Sequence, residues 1–256
     1  DSIDYRTDYS YYRQGNAVSI KNPDNSQVRY VYNTAGQSES IQRKESSDTG
    51  FINVVNNFDY SPEGKITVQE NYNGVRAVNI YDANKMYRLS NKKTTNSGGL
   101  KLQDVSYTYD ANGNITQVID NSQTSSAKTI TYAYDDLHRL IQSSATNVAL
   151  GQKTYLINYA FDAVGNILTR SEQIGNDPTI VYTYNYSGND YANPHAVTLI
   201  SDGTSVVDFV YDNNGNLVAE GAKSYVFDYK NRLVEVSLPG GDGTDSSSVT
   251  FAYDYQ

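Results

Sequence analysis

Cysteine and tryptophan are absent from these 256 residues, and methionine occurs once. Without cysteine there are no disulfides and no thiolate metal sites. Their absence is compatible with an exported protein. Histidine is nearly missing too: His138 and His195 are the only two. They lie far apart in sequence, so nothing supports a nucleophile–base pair. The carboxylates are plentiful, but none is singled out by its surroundings as an acid or base. The expectation is therefore no catalytic, cofactor-binding or metal residues, and no enzyme. No run approaches 18 apolar residues, which excludes a membrane-spanning helix. Basic runs are missing and the net charge is −9. Nucleic-acid backbones and anionic membranes are poor partners for such a chain. Few alanines and the single methionine argue against a helix-rich core, and no segment carries a helical apolar period.

What is present is tyrosine, 25 residues, with 6 phenylalanines. Tyrosine suits half-buried pleated surfaces, where the ring packs and the hydroxyl is expected to stay wet. The rings fall on alternate positions. Ile130, Tyr132 and Tyr134 share a face, as do Ile157, Tyr159 and Phe161, while Thr131, Ala133, Asn158 and Ala160 point the other way. That is the period of a strand.

Each such strand runs into the same sequence. In Tyr109-Asp110-Ala111-Asn112-Gly113-Asn114-Ile115 the aromatic is position 0, aspartate +1, glycine +4, asparagine +5 and an apolar residue +6. Asn112-Gly113 signals a two-residue hairpin turn, with both residues expected at φ > 0. Asp110 is placed to bond downstream N–H groups as an Asx-turn. The pattern returns at Phe161, Asp162, Gly165 and Asn166, and at Tyr211, Asp212, Gly215 and Asn216. A second version places arginine at +5: Tyr134, Asp135 and Arg139, then Phe227, Asp228 and Arg232. Worn copies open at Tyr11, Tyr32, Tyr60, Tyr81 and Tyr184, the one at Tyr81 with a turn two residues longer. Tyr253-Asp254 is cut short. Successive copies are 16 to 28 residues apart. A wandering period of this kind means one structural unit with elastic loops. The intervening stretches, Asp120 to Lys128, Ser143 to Gly151, Gln173 to Pro178 and Pro239 to Ser248, are expected to be polar links.

The alternation of [Tyr/Phe]-Asp-x-x-Gly-Asn-[Ile/Leu] with [Tyr/Phe]-Asp-x-x-x-Arg-Leu resembles the YD repeat of the Rhs family. That family includes bacterial Rhs and wall-associated polymorphic toxins, the B and C components of Tc toxins, and teneurins. Pro194-His195-Ala196-Val197 is similar to an element found late in many Rhs repeat tracts. The resemblance implies an all-β fold, tandem hairpins forming a curved, spiralling β-sheet ribbon over residues 1–256, part of a hollow shell. About ten repeats plus a truncated one would make a segment of a longer protein, since Asp1 starts mid-pattern and no signal peptide is visible. The implied role is a non-catalytic wall of a shell that encloses a C-terminal toxin in a secreted or cell-surface bacterial protein. Its partners would be its own core region and cargo. The alternative is an extracellular adhesion or carbohydrate-binding module, in which Tyr-Asp pairs contact glycans or cell-surface receptors. Asp110, Asn112 and Asn114 have the spacing of a calcium loop, but glycine stands at 4 and no glutamate at 12, so a turn is the expected reading.

Overall fold

A one-layer sheet needs only what this sequence supplies: alternation, frequent turns and side chains that tolerate partial exposure. The computed structural model describes residues 5–122, 127–146, 152–187, 193–240 and 247–254. Contacts divide the chain into two compact units, residues 1–131 with 146–152, and residues 132–145 with 153–256.

The first unit contains β1 (Asp8–Tyr11), β2 (Ala17–Lys21), β3 (Gln27–Tyr32), β4 (Ser38–Lys44), β5 (Ile52–Tyr60), β6 (Ile66–Asn71), β7 (Arg76–Asp82), β8 (Arg88–Thr95), β9 (Lys101–Tyr109) and β10 (Ile115–Asp120), and leads into β11 (Lys128–Tyr134). Each strand is antiparallel to the one before it. The second unit runs through β12 (Leu140–Thr146), β13 (Tyr155–Phe161), β14 (Ile167–Ile174), β15 (Ile180–Asn185), β16 (Leu199–Ser201), β17 (Val206–Tyr211), β18 (Leu217–Glu220), β19 (Lys223–Phe227), β20 (Leu233–Leu238) and β21 (Ser247–Thr250), again paired in sequence order. The helical content among the described residues is one short 3₁₀ turn, Ala83–Lys85.

The strands reach further into the links than the polar composition suggested. β12 continues through Ser143 to Thr146, and β14 to Ile174. Ser143 is buried, opposite Ile157 on β13. A serine or threonine facing a neighbouring strand satisfies a sheet as well as an apolar residue does when neither face is sealed. The glycine-rich stretch at 241–246 and the Gly188-Asn189 pair lie outside the described residues.

Cross-strand registers assign the side chains to two faces. One carries the aromatic and aliphatic rows: Tyr9, Ile20 and Val28; Tyr30 and Ile41; Tyr107 and Val118. The other carries polar rows joined by hydrogen bonds across strands. Ser10 Oγ meets Ser19 Oγ; Arg29 donates to Gln42, and Gln42 to Asn53; Asn91 donates to Asp104 and Ser106. In the second unit Gln142 donates to Asn158, which donates to Ser171. Burial is slight throughout. Among the described residues, only Val55 and Ala145 are buried hydrophobics. The accessible surface is 16910 Å², against about 11,000 Å² for a compact monomer of this mass. Stability therefore rests on interactions between neighbouring strands and turns, with no sealed core behind them.

Candidate functional site

The turns that close the aromatic strands are the most regular feature of each unit. At 110–114 the N–H of Asp110 donates to the carbonyl of Asn114, and that of Gly113 to the carbonyl of Asp110. The same pair of bonds closes the turns at 12–16, 33–37, 61–65, 135–139, 162–166, 212–216 and 228–232. The Asn112-Gly113 expectation needs correction here. Gly113 has φ +100°, whereas Asn112 is not among the positive-φ residues. The turn is a three-residue loop ending in a left-handed residue, with a β-bulge where Tyr109 faces Ile115. One position rather than two requires glycine. His138 and Asn231 occupy it in the arginine version at φ 61° and 57°, within the left-handed region that asparagine and histidine tolerate.

Where aspartate stands at +1, it closes the turn from the side. Asp110 Oδ1 accepts from the N–H groups of Gly113 and Asn114, and Oδ2 from the Asn114 amide at 2.8 Å. Asp162 and Asp212 bind Asn166 and Asn216 in the same way. In the arginine version Nε replaces the amide: Arg139 reaches Asp135 at 2.7 Å and Arg232 reaches Asp228 at 2.8 Å. All five carboxyls are held below their ordinary range. For Asp110 and Asp212 the first cause is the asparagine amide; for Asp135 and Asp228 it is the backbone N–H at +5. For Asp162, desolvation pushes upward and is outweighed by the Asn166 backbone and side-chain bonds.

The residue at +5 also reaches the next turn. Asn16 donates to the Gly36 carbonyl. Lys65 donates to the Tyr87 carbonyl and lies 5.0 Å from the Tyr81 ring centroid. Arg88, which follows the longer turn at 83–87, covers the Tyr109 ring at 5.7 Å. Arg139 donates to the Asp162 carbonyl at 2.9 Å and covers Phe161 at 4.8 Å. Asn216 donates to Asn231, and Arg232 covers Tyr253 at 4.7 Å. Within each unit the turns thus form a connected column.

The tyrosine hydroxyl is not left to water as expected. Tyr32, Tyr60, Tyr81, Tyr109, Tyr211 and Tyr253 each donate to a carbonyl of the preceding hairpin, for example Tyr109 to Leu89 at 2.8 Å and Tyr60 to Ser38 at 2.7 Å. Partial burial raises the hydroxyl pKa of Tyr60 and Tyr109. In the copy read from Tyr184 this bond is made by Tyr186, to Ile167. Tyr and Asp of one repeat are thus both engaged inside the column, the ring with the previous hairpin and the carboxylate with its own turn.

The structure brings together two sequence elements that had been read separately. Asn166 is buried, and its amide donates to Asp162 and to the Pro194 carbonyl. With its Nδ2 so used, Oδ1 faces His195 Nδ1 at 2.8 Å, which fixes that nitrogen as the donor. Pro194-His195-Ala196-Val197 is therefore the loop that docks on the 162–166 turn, and the Val197 carbonyl accepts from Tyr211. His195 itself is exposed. No group of three or more metal-ligating side chains occurs among the described residues. A second column escaped sequence reasoning. On the opposite edge of the first unit, the turns at 22–26, 71–75 and 96–100 repeat the same backbone bonds with asparagine in the aspartate position. Asparagine followed three residues later by glycine or asparagine was the available signal.

Residues 109–153 match the family model described as RHS Repeat. Two curated relatives are toxin subunits of Yersinia entomophaga. YenC1 is 25% identical over 78% of this chain, and YenC2 24% identical over 89%. The chain spans about a quarter of the length of each, 24% and 27%. Among solved structures, a Photorhabdus luminescens Tc holotoxin pore matches 98% of this chain with TM-score 0.78 and 17% identity, over 13% of its own chain. A crystal structure of TcdB2-TccC3 matches 96% with TM-score 0.66 and 16% identity, over 14% of its chain. The recurring capped turn, the sequential antiparallel meander and these likenesses support the resemblance to the YD-repeat, or Rhs-repeat, family.

Proposed function

We propose that this chain is one stretch of the wall of an Rhs-type shell in a larger secreted toxin, and that its role is mechanical rather than catalytic. In this reading residues 1–256 form a continuous run of repeats, and the wall encloses a polypeptide carried further along the same chain. The observation that supports it most is the column of turns. Among the described residues, the aspartates at 110, 135, 162, 212 and 228, the glycines at +4 and residues at +5 such as Asn16, Lys65, Arg139 and Asn216 hold one hairpin to itself or to the next. Side chains arranged for joining neighbours, on a sheet with almost no core of its own, suit a barrier. The likeness to Tc toxin subunits supports the same reading.

Protease protection tests it. The full-length protein is digested under native conditions and the survival of its C-terminal region is followed by mass spectrometry. The region should persist while the wall is intact. It should be cut several-fold faster when Asn166→Ala and Arg139→Ala loosen two successive turn contacts. Equal digestion of the C-terminal region with and without the repeat segment would refute enclosure.

A further inference from the structure

One turn of the aspartate column departs from the others in its cap. In the other turns of that column a side-chain oxygen at +1 accepts from the N–H at +5. Asn33 accepts from Gln37, Ser61 from Lys65, and the five aspartates from Asn114, Arg139, Asn166, Asn216 and Arg232. The same oxygen commonly accepts from the N–H at +3 as well, as Asn33 does from Ala35 and Asp135 from Leu137. Two N–H groups thus converge on one point inside the loop. The turn at 12–16 has the same closing bonds, and Gly15 has the same left-handed backbone at φ +92°. Its residue at +1 is Tyr12, whose ring is drawn to Tyr32, edge-on at 5.7 Å. The Gln14 and Asn16 N–H groups therefore converge on a point that no acceptor occupies. Neither has a hydrogen-bond partner among the described residues.

Gln14 and Asn16 line a slot of about 350 Å³ between this turn and the one at 33–37. That is the small end of the range for small-molecule sites, about 300–1,000 Å³. Tyr12 and Tyr32 supply its apolar wall, and Arg13 its only charge. Arg13 is exposed and pairs with no carboxylate and no ring among the described residues. The chain as a whole has a net charge of −9, yet this lining holds a free guanidinium and no acidic side chain. Such a lining selects an anion. Convergent backbone N–H groups form an anion-binding concavity, and a guanidinium is matched to the two oxygens of a carboxylate. A carboxylate is also the group that fills the equivalent place at 110–114.

We infer that the turn at 12–16 binds the carboxylate of an external ligand in place of the missing cap. One carboxylate oxygen accepts from the Gln14 and Asn16 N–H groups, the other from Arg13, and an apolar body lies against Tyr12 and Tyr32. The inference does not depend on the shell reading. Saturation-transfer NMR on the full-length protein tests it, with probes at millimolar concentration. Phenylacetate stands for a free acid and glycylphenylalanine for the C-terminus of a peptide. Phenylacetamide and inorganic phosphate are the comparison probes. Transfer to either carboxylate supports the assignment, and the tighter of the two identifies the source. Arg13→Gln should weaken binding about tenfold, as expected for the loss of one charge-assisted hydrogen bond. Tyr12→Asn installs the cap that Asn33 gives the next turn, and should abolish binding in a protein that melts no lower. Tyr12→Ala removes the ring but leaves both N–H groups open, and should retain part of the binding. Transfer to neither carboxylate, equal transfer to phenylacetamide, or preference for phosphate would each overturn the assignment. So would unchanged binding in Arg13→Gln or Tyr12→Asn, or a loss in Tyr12→Ala as complete as in Tyr12→Asn.

Discussion

Replacing Gly113 by valine tests the turn and its contact with the neighbouring hairpin together. The backbone sits at φ +100°, where a β-branched residue is strained by about 1–3 kcal/mol. A Cβ at this position would also lie 2.4 Å from Nη2 and 2.7 Å from Cζ of Arg88. Arginine is flexible and can withdraw. Withdrawal lifts the guanidinium from the Tyr109 ring, a contact worth about 0.5–1 kcal/mol at an exposed site. The sum is a loss of about 1.5–4 kcal/mol for Gly113→Val. The two parts separate in a double-mutant cycle. Combined with Arg88→Ala, the Gly113 substitution should cost only its backbone strain, leaving a coupling of about 0.5–1 kcal/mol. Repeat chains need not unfold in one step. Amide exchange on β9 and β10 should therefore be measured beside urea unfolding. A loss below about 0.5 kcal/mol for Gly113→Val would refute the turn assignment, and a zero coupling would refute the role given to Arg88.

Three further outcomes are expected. Tyr109→Phe removes the hydroxyl bond to Leu89 and should cost about 0.5–1.5 kcal/mol by denaturant unfolding, with β8 and β9 exchanging faster. Asn166→Ala leaves the Pro194 carbonyl and His195 Nδ1 without their partner. About 1–3 kcal/mol should be lost, with faster exchange confined to the 162–166 and 193–197 loops. The capping aspartates make stability depend on acid. Their carboxyls are depressed in the folded chain, so their contribution is complete above the unfolded value of about 3.9 and disappears as pH falls through the lower folded values. A urea titration series from neutral pH to about pH 2 should show the midpoint dropping below pH 4, and less steeply in Asp162→Asn.

Much of this was legible in the sequence because strand periodicity and turn chemistry are local. Tyr107 and Tyr109 declare a face, Asp110 a cap and Gly113 a left-handed residue without any neighbour being known. What was missed depends on a second hairpin. Asn112-Gly113 is common to two-residue and three-residue loops, and only the register of Tyr109 against Ile115 distinguishes them. The tyrosine hydroxyl was expected in water because its acceptor lies about 20 residues away, on a carbonyl that carries no sequence signature. Ser143 looked like a link because hydroxyls also populate loops; its burial follows from Ile157 across the strand pair. The dual use of Arg139, bonding its own Asp135 and covering the next ring, likewise requires both hairpins to be in place.

Strand length in this chain varies from three residues in β16 to nine in β5 and β9, while the closing turn keeps five residues from cap to +5 in most copies. The two edges therefore answer to different constraints. The capped edge works as a hem with a nearly fixed stitch, and even the longer turn at 83–87 keeps Asp82 as a cap and returns Arg88 to the next ring. The opposite edge is less uniform: its turns at 22–26, 71–75 and 96–100 repeat the five-residue pattern, while the connections at 45–51 and 202–205 do not. A chain built this way can be widened, narrowed or decorated at that edge by insertion, one hairpin at a time, without losing count along the hem.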